Sequence, residues 1–308
     1  MKLKLEAICI SPQRGMIKQE VEEAEVVPLG IEGDSHSGEW SRQITILAQE
    51  SIDKFNSEHG TCFKTGEFAC NLVVSGLDVS KVALFDRFRF NDVLLEVTMI
   101  GKEPHPYNSP VYEKTGTNIM FTEGIFCRVI TPGEIKKGYL GSFIEMPFKI
   151  KVITLSDRAS SGEYEDRSGP EIENILEEHF KNSRFHPHIE KIIIADEAEL
   201  LRNRLVEAKE EKYAAVFTTG GTGIGPRDIT ADTVIEECDK LISGIMDMIR
   251  IKYGSEKPNV LLSRSVAGTM DETLVYTLPG SPEAVTEYMI EILKSFEHAY
   301  QMLKGCGH

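Results

Sequence analysis

The sequence predicts two domains: a mostly β domain over residues 1–146, followed by a three-layer α/β domain with a mainly parallel sheet over residues 147–308. Three observations lead to this prediction. The 308 residues exceed the ~100 to 200 that one domain usually holds. The first half consists of short apolar runs between turn residues. The second half alternates strand patterns with amphipathic helices.

The N-terminal half is predicted to form a β-rich barrel or sandwich. Its turn signals, PLGIEGD, FND and TPGE, separate apolar runs at the spacing of short strands. Only IDKFN and its neighbours have a helical pattern. The predicted strands are LEAICIS, AEVVPL, QITILA, NLVVSGL, RFRFNDVLLEVTMI and GIFCRVI.

The C-terminal half is predicted to contain a parallel sheet covered on both faces. Runs such as KVITL and AAVFTT are apolar without alternation, as doubly covered strands are. The last helix is expected to begin at Ser281, a cap residue, with Pro282 at the first helical position. The other predicted elements are the strands FKIKVITL, HIEKIIIAD, YAAVFTTGG and TLVYTL and the helices PEIENILEEHF and ELLRNRLVEA.

Composition excludes several classes of function. The formal net charge of −15 and the pI near 5.1 argue against a nucleic-acid partner, because phosphate backbones are held by clustered Lys and Arg. No apolar run approaches the ~18 residues of a membrane span, and MKLKLEAICIS lacks a signal-peptide core, so a cytoplasmic protein is expected. The six cysteines show no C-x-x-C spacing, which predicts neither a zinc site nor a disulfide framework.

A loop rich in glycine and threonine, TTGGTGIGPRDIT, follows the predicted strand AAVF. Such a loop exposes backbone N–H groups at the carboxyl edge of a parallel sheet, where α/β proteins bind ligands. It has no lysine and is therefore not a Walker loop, and its glycine spacing differs from the dinucleotide fingerprint. The sequence predicts a phosphate-binding loop formed by Thr219, Gly220, Gly221, Thr222 and Gly223.

Two aspartates are candidate metal ligands beside this loop. Asp228 ends the loop, and Asp196 ends the predicted strand KIIIA at the same edge of the sheet. Two carboxylates that converge on a polyphosphate can share Mg²⁺. Asp228 could equally cap the helix predicted to follow it, and the sequence leaves these alternatives open.

Two further strand ends carry small or polar residues. Ser156 and Asp157 follow FKIKVITL, while Pro279, Gly280 and Ser281 follow TLVYTL. At any one of these ends, solvated turn chemistry is the simpler explanation. Four such ends at one edge of the sheet favour a binding site.

Five motifs occur in order between about Phe148 and Leu303: SDRASSGEYEDRSGP, IADE, TTGGTGIGPRDITADT, LSRSVAG and LPGSPEAV. With this combination the C-terminal half resembles the molybdopterin adenylyltransferase family, which includes the pterin-binding domain of gephyrin-like proteins. The resemblance implies a trimer-forming α/β fold, with ATP and molybdopterin as substrates and Mg²⁺ as cofactor. It implies transfer of AMP to the terminal phosphate of the pterin and release of pyrophosphate.

The resemblance also assigns residues. The catalytic, metal-holding aspartates of the family correspond to Asp196 and Asp228. Its nucleotide and pterin contacts correspond to Ser156, Asp157, Thr219, Gly220, Gly221, Thr222, Gly223, Pro279, Gly280 and Ser281. Arg227 could add positive charge or be a solvated loop residue. No general base is expected, because the attacking phosphate is already ionised.

Roughly residues 1–145 resemble a MOSC domain, the β-rich module also found in molybdenum-cofactor sulfurases, through GIEGDSH, RQI, the pair Gly101-Lys102, and EGIFCRV. Such domains bind the cofactor or handle sulfur, commonly through a cysteine shortly after the Gly-Lys pair. Here residues 103–110 contain no cysteine, and Asn118 stands where relatives often have another. The resemblance therefore implies a mostly β barrel and cofactor binding without thiol chemistry.

The candidate anion contacts of this domain are Arg42, Lys102 and Arg128. Cys127 alternates with its neighbours in a predicted strand, which favours a buried structural thiol over a nucleophile. Asp34 and His36 could ligate a metal, but two ligands make a poor site and a loop hydrogen bond is the simpler expectation.

Two functions remain open from the sequence. One is the adenylyltransferase, and the other is a non-catalytic carrier that binds molybdopterin or the finished cofactor and passes it to apo-enzymes. The carboxylates of Asp196 and Asp228 favour the enzyme, because a carrier has little use for two carboxylates facing an anionic ligand. Expected partners are molybdopterin, ATP, two further copies of the chain, and other proteins of molybdenum-cofactor assembly.

Overall fold

The computed structural model describes residues 2–103 and 109–306. The chain divides into two compact units, Met1–Met146 and Pro147–His308. Within the described ranges, no helix has both the length and the apolar content needed to cross a membrane.

The N-terminal unit contains a closed barrel of seven strands. The strands pair in the order β1–β6–β5–β9–β8–β7–β11, and β11 pairs back to β1. All barrel pairs are antiparallel except β5 with β6. Strands of this unit are β1 (Lys2–Ile10), β2 (Gln19–Val21), β3 (Glu23–Val27), β4 (Gly30–Ile31), β5 (Ile44–Ala48), β6 (Leu72–Ser75), β7 (Arg87–Phe90), β8 (Val93–Ile100), β9 (Ile125–Thr131), β10 (Gly133–Lys136) and β11 (Leu140–Ile144). The predicted barrel is confirmed, and the sandwich alternative is wrong.

The remaining strands and the helices lie outside this ring. β2 pairs with β1, while β10, β3 and β4 form a separate small sheet. The helices of this unit are α1 (Gln49–His59) and α2 (Pro110–Thr115), with 3-10 turns at Thr65–Phe68, Val79–Lys81 and Ile119–Phe121. The predicted helix around IDKFN is α1.

Two apolar clusters explain why β5 has no solvent-exposed face. Ile44 and Ile46 belong to the larger cluster, which draws on barrel strands from β1 to β11. Leu47 points to the opposite face and packs in a second cluster with Ile52 and Phe55 of α1. Because α1 covers one face of the barrel wall, the strand is buried on both sides.

The C-terminal unit contains a mixed, mostly parallel sheet of six strands. They are ordered β13–β12–β14–β17–β16–β15. The first four are parallel, whereas β16 and β15 add an antiparallel edge. The elements are β12 (Pro147–Leu155), α3 (Asp157–Ser160), α4 (Ser168–Phe180), β13 (His186–Ile194), α5 (Ala198–Glu210), β14 (Ala215–Thr219), α6 (Thr230–Glu237), β15 (Lys240–Leu241), α7 (Ser243–Gly254), a 3-10 turn at Pro258–Leu262, β16 (Ala267–Met270), β17 (Thr273–Leu278) and α8 (Pro282–Leu303).

Successive residues of β14 show that helices cover both faces of this sheet. Val216 packs in a cluster with Leu201 of α5 and Val234 of α6. Phe217, which points to the other face, contacts Phe296 of α8 with ring centroids 5.7 Å apart, and α8 packs on α4. Because helices cover both faces, the central strands are apolar at successive positions instead of alternating. Ser281 begins the last helix, as predicted, with its Oγ accepting the Ala284 N–H at 3.3 Å.

A buried ion pair holds the segment after β1 to the loop after β4. The side chains of Lys18 and Asp34 are 1% and 0% exposed and form an ion pair. Asp34 also accepts hydrogen bonds from the backbone N–H groups of Ser11 and His36, at 2.9 and 3.0 Å. Burial opposes ionisation, but the bonds from His36 and Lys18 outweigh it and hold the pKa of Asp34 below its ordinary value. Asp34 and His36 are therefore partners of Lys18 rather than a metal site.

Removing one partner of this pair is expected to destabilise the N-terminal unit strongly. Asp34→Ala leaves the Lys18 ammonium buried and uncompensated, which typically costs about 3–5 kcal/mol. Urea unfolding of the full chain, followed by fluorescence of Trp40, the single tryptophan, measures this unit. Replacing both partners, Lys18→Met with Asp34→Asn, keeps an oxygen for the backbone donors and should recover much of the loss, and a double variant as unstable as Asp34→Ala would contradict the explanation.

The same pair predicts a pH dependence. Because the folded-state pKa of Asp34 is depressed, its contribution is present above the ordinary aspartate pKa of about 3.9 and is lost as the pH falls towards the folded-state value. Urea midpoints for the wild type should therefore fall more steeply below about pH 4 than those of the double variant.

Candidate active site

The glycine loop after β14 adopts a backbone conformation that requires glycine. Gly220 and Gly221 have φ of +98° and +61°. A Cβ on Gly220 would lie 2.3 Å from the Leu155 carbonyl, and one on Gly221 would lie 2.6 Å from Thr230 Oγ1. The close approach of the loop to β12 and to α6 therefore excludes side chains at both positions.

The carbonyl groups of this loop are bound by the protein, whereas several of its N–H groups are not. Thr230 donates its hydroxyl to the Gly220 carbonyl at 2.8 Å and its N–H to the Gly221 carbonyl at 3.1 Å. The N–H of Arg264 donates to the Thr222 carbonyl at 2.8 Å. Among residues 2–103 and 109–306, the N–H groups of Gly221, Thr222 and Gly223 have no acceptor. These three donors can hold an anion.

Asp228 folds back onto this loop instead of capping the next helix. Its Oδ2 accepts the N–H of Gly225 at 2.7 Å, and a Cβ on Gly223 would lie 2.7 Å from the same oxygen. At α6 the N-cap is Ile229, and no side chain caps the helix. The cap alternative for Asp228 is therefore wrong.

Asp196 and Asp157 join the ends of β13 and β12. The Asp157 N–H donates to Asp196 Oδ2, and the Asp196 N–H donates to Asp157 Oδ1, both at 3.0 Å. Arg227 forms an ion pair with Asp157. Burial, together with the charges of Asp157 and Asp228, raises the pKa of Asp196. The bond from the Asp196 N–H and the ion pair with Arg227 lower the pKa of Asp157.

The carboxylates of Asp196 and Asp228 each keep one oxygen with no donor in the described part of the chain. Asp196 Oδ1 lies 3.6 Å from the Cβ position of Gly221, so this carboxylate borders the loop. No group of three or more His, Cys, Asp or Glu side chains among the described residues could hold a metal. A metal ion here needs phosphate oxygens or water as further ligands, as Mg²⁺ commonly has.

The other predicted substrate-binding residues lie at neighbouring strand ends. Thr219 donates its hydroxyl to the Pro279 carbonyl at 2.8 Å, and a Cβ on Gly280 would lie 3.5 Å from the Gly220 Cα. Ser156 Oγ accepts the N–H of Ala159 at 3.2 Å and caps α3. The ends of β12, β14 and β17 are therefore packed closely. The hydroxyl groups of Ser156 and Ser281 accept hydrogen bonds from the helices that they cap.

The sequence did not single out a cavity of about 210 Å³ at these strand ends. Ser156, Thr219 and Gly280 border it, and Arg158, Tyr164 and Arg167 also line it. The two arginines occur in the polar loop of the SDRASSGEYEDRSGP motif, where only Ser156 and Asp157 had been selected. The sequence signal that could have identified them is a tyrosine, Tyr164, with an arginine on either side of it in the same loop.

In the N-terminal unit, the three candidate anion-binding residues have different surroundings. Arg128 forms an ion pair with Glu96 at 2.6 Å, so the expectation that it contacts an anion is not supported. Burial, and then the charge of Arg42, lowers the pKa of Lys102. Arg42 also lies over the Trp40 ring, 5.1 Å from its centroid. Pro104–Asn108, in the loop without a cysteine, lie outside the described residues.

Cys127 is a buried structural thiol. Its side chain faces the larger core cluster and is 0% exposed. Burial, with a smaller contribution from the charge of Glu96, raises the pKa of its thiol. A nucleophilic thiol needs access and a lowered pKa, and Cys127 has neither.

Comparisons with known proteins match both units. Residues 151–298 match the family described as "Probable molybdopterin binding domain". A molybdopterin adenylyltransferase from Helicobacter pylori (strain J99) is 34% identical over 158 residues, which are 51% of this chain and 88% of that protein. The chain belongs to the molybdopterin adenylyltransferase family. Residues 33–139 match the MOSC domain family, so a MOSC domain precedes the molybdopterin-binding domain in this chain.

Relatives of this family carry related names. A molybdenum cofactor biosynthesis bifunctional protein from Synechococcus elongatus is 33% identical over 236 residues, covering 76% of this chain and 67% of that protein. The solved molybdopterin biosynthesis Mog protein from Mycobacterium ulcerans is 32% identical, covers 52% of this chain and 99% of that chain, and has a TM-score of 0.47. Membership of this family assigns the chain to molybdenum cofactor biosynthesis.

Thiol accessibility tests the structural assignment of Cys127. Under native conditions a thiol-reactive dye should label the exposed Cys62, whereas the buried Cys9, Cys70 and Cys127 should react only after unfolding. Mass spectrometry of peptides locates the label, and Cys62→Ser should remove the native signal of its own peptide, while label on the half-buried Cys238 is counted separately. Rapid native labelling of Cys127, or a persulfide that depends on it, would contradict a structural role.

Proposed function

We propose that the C-terminal domain is a molybdopterin adenylyltransferase that uses ATP and Mg²⁺. An oxygen of the terminal phosphate of molybdopterin bonds to the α-phosphorus of ATP. The bond from that phosphorus to the oxygen bridging to the β-phosphate breaks, and pyrophosphate leaves with the electron pair. The products are adenylylated molybdopterin and pyrophosphate. The names of the relatives support this reaction.

The observation that carries the proposal is the juxtaposition of backbone donors and carboxylates at one loop. The N–H groups of Gly221, Thr222 and Gly223 have no acceptor in the described residues, and the carboxylates of Asp196 and Asp228 border the same loop. Donors alone fit any phosphate-binding protein. Carboxylates would repel phosphate unless a cation lies between them, so the combination favours metal-assisted phosphoryl chemistry over the carrier alternative.

Each part of the site has a proposed role. The three N–H groups hold phosphate oxygens of the nucleotide without moving, because the carbonyl groups of the loop are bound to Thr230 and Arg264. Asp196 and Asp228 would hold Mg²⁺, and the ion would supply positive charge to the phosphates. Arg227 positions Asp157 through their ion pair. No general base is needed, since the attacking phosphate is already ionised.

The MOSC domain is proposed to bind the pterin product without sulfur chemistry. Lys102 and Arg42 support an anion contact, because the positive charge of Arg42 acts on Lys102 and neither has a carboxylate partner in the described residues. The buried Cys127 supports the absence of a transferable sulfur. Fusion to the enzyme would raise the local concentration of product at such a site.

We further propose that the protein is cytoplasmic, interacts with other proteins of molybdenum-cofactor assembly, and forms a homotrimer through its C-terminal domain. An apolar patch supports self-association. Ile251 of α7 and Leu261 and Leu262 of the following 3-10 turn are 74%, 56% and 54% exposed. Large exposed apolar side chains grouped together commonly mark protein interfaces.

The catalytic proposal predicts that Asp228→Ala and Asp196→Ala lose adenylyl transfer but keep pterin binding. We expect a loss of at least about 100-fold, since groups that merely support metal ligands already contribute roughly 10 to 100-fold. Purified protein is incubated with molybdopterin, ATP and Mg²⁺, and adenylylated pterin and pyrophosphate are quantified.

Asp271→Asn is the matched control. Asp271 lies in the turn between β16 and β17 and forms an ion pair with Lys209. Its backbone has φ of +49°, a conformation that asparagine also tolerates. This variant should retain full activity. Equal loss of pterin binding and turnover in the Asp228 variant would indicate a structural role instead.

The assembly proposal predicts that Ile251→Lys weakens the trimer, because a charge would be buried in the patch. Sedimentation of the full chain measures the mass. Leu140→Lys, at a position 76% exposed in the MOSC domain, serves as the control and should leave the mass unchanged. A monomeric wild type at all accessible concentrations would refute the assembly.

A further inference from the structure

The cavity beside the glycine loop has a different chemistry from the loop itself. It measures about 210 Å³ and shares Ser156, Thr219 and Gly280 with the proposed nucleotide site. Asp157, Asp196 and Asp228 do not line it. Instead, Arg158 and Arg167 are among the residues of its wall. The two arginines come from the start of α3 and from the residue before α4.

These arginines differ from the other two at this edge of the sheet. Arg227 is paired with Asp157 and Arg264 with Asp232. By contrast, neither Arg158 nor Arg167 has an Asp or Glu oxygen within the 4 Å of an ion pair in the described part of the chain. Both guanidinium groups are therefore available to pair with an anionic ligand.

The guanidinium groups of both arginines lie over the ring of Tyr164. The Cζ atoms of Arg158 and Arg167 lie 5.3 and 6.0 Å from the centroid of its ring, within the range of cation–π attraction. The Tyr164 N–H donates to the Arg158 carbonyl at 3.2 Å, which fixes the tyrosine to the end of α3. One aromatic ring therefore contacts both arginines.

The one carboxylate in the cavity wall is already bound. Asp166 Oδ1 accepts the N–H groups of Ser168 and Gly169, at 3.0 and 3.2 Å, and so caps α4. Its Oδ2 accepts the hydroxyl of Thr154 at 2.7 Å. The positive end of the helix offsets the charge of Asp166, so the cavity remains favourable for an anion.

We infer that this cavity binds the phosphate monoester of the acceptor substrate directly through Arg158 and Arg167, without a metal ion. The inference rests on the proposed adenylyl transfer, in which two phosphate-bearing substrates must be held together although their charges repel. The carboxylates beside the glycine loop accept a polyphosphate only together with a divalent cation. The arginine cavity needs no cation, because guanidinium groups bind phosphate directly.

The shared border explains how the two subsites cooperate. Thr219 and Gly280 line the cavity, and a Cβ on Gly280 would lie 3.5 Å from the Gly220 Cα, so the cavity and the loop are neighbours. A monoester held at Arg158 and Arg167 therefore lies beside the phosphates at the glycine loop. Tyr164 is a positioning residue here, since it acts through the arginines.

Calorimetry on the full chain tests the inference with two probes. Phenyl phosphate, an aromatic phosphate monoester, is titrated in EDTA, and a non-hydrolysable ATP analogue is titrated with Mg²⁺. Arg158→Ala and Arg167→Ala should each weaken phenyl phosphate about tenfold or more, as expected for loss of a charge-assisted hydrogen bond. Both should bind the nucleotide like the wild type. In the transfer assay, their KM for molybdopterin should rise while their KM for ATP stays unchanged.

Three variants sharpen the test. Arg204→Ala removes an exposed arginine that pairs with Glu207 on α5, and should bind both probes normally. Arg158→Lys keeps the charge and should recover part of the phenyl phosphate affinity, which a purely structural role does not predict. Tyr164→Phe keeps the ring and should bind normally, whereas Tyr164→Ala should resemble the arginine variants.

The outcomes separate this inference from the proposed function. Phenyl phosphate binding that requires Mg²⁺, is absent in the wild type, or is unchanged in both arginine variants overturns the cavity assignment. Equal weakening of the nucleotide would make the cavity part of the nucleotide site and would also overturn it. Failure of the wild type to bind the nucleotide with Mg²⁺ would instead count against the adenylyltransferase proposal.

Discussion

The exchange of hydrogen bonds between Asp157 and Asp196 determines the geometry of the candidate active site. Parallel strands pair along their length, but their ends diverge into separate loops. Here each aspartate accepts the N–H of the other at 3.0 Å, which extends the connection of β12 and β13 one step beyond the sheet. Arg227 attaches the glycine loop to these two strand ends through its ion pair with Asp157. Three loops are thus held together, and the carboxylate of Asp196 is partly buried against Gly221, where burial raises its pKa.

The glycines of the loop matter because they have no side chains. At Gly220 and Gly221 a side chain would collide with the Leu155 carbonyl and with Thr230 Oγ1. Their absence lets the loop lie against β12 and α6, where Thr230 binds two carbonyl groups. With these carbonyls fixed, the donor groups at Gly221 to Gly223 are oriented before any ligand arrives. Preorganised donors stabilise a developing negative charge without a cost of reorganisation.

The sequence predicted most elements and the strand-end location of the site, because apolar runs and turn residues are local signals. The strand pattern alone could not choose between barrel and sandwich, since closure depends on β11 pairing with β1 across more than a hundred residues, and only the MOSC resemblance implied the barrel. The sequence could not decide whether Asp228 capped α6, because that depends on where the carboxylate turns, and it turns back to Gly225. Arg158 and Arg167 were overlooked for a related reason. Whether a loop arginine is free or paired depends on contacts between distant segments.

In the proposed adenylyl transfer, the charges at this edge of the sheet would assign two anionic substrates to different subsites. The arginines discussed above are four, at 158, 167, 227 and 264, and the aspartates are five, at 157, 166, 196, 228 and 232. Two of the arginines are compensated by Asp157 and Asp232, and Asp166 is bound to the start of α4. What remains is one pair of carboxylates at the glycine loop and one pair of guanidinium groups in the cavity. A polyphosphate at the first pair requires a divalent cation, whereas a monoester at the second does not, and this difference would keep each substrate in its own subsite.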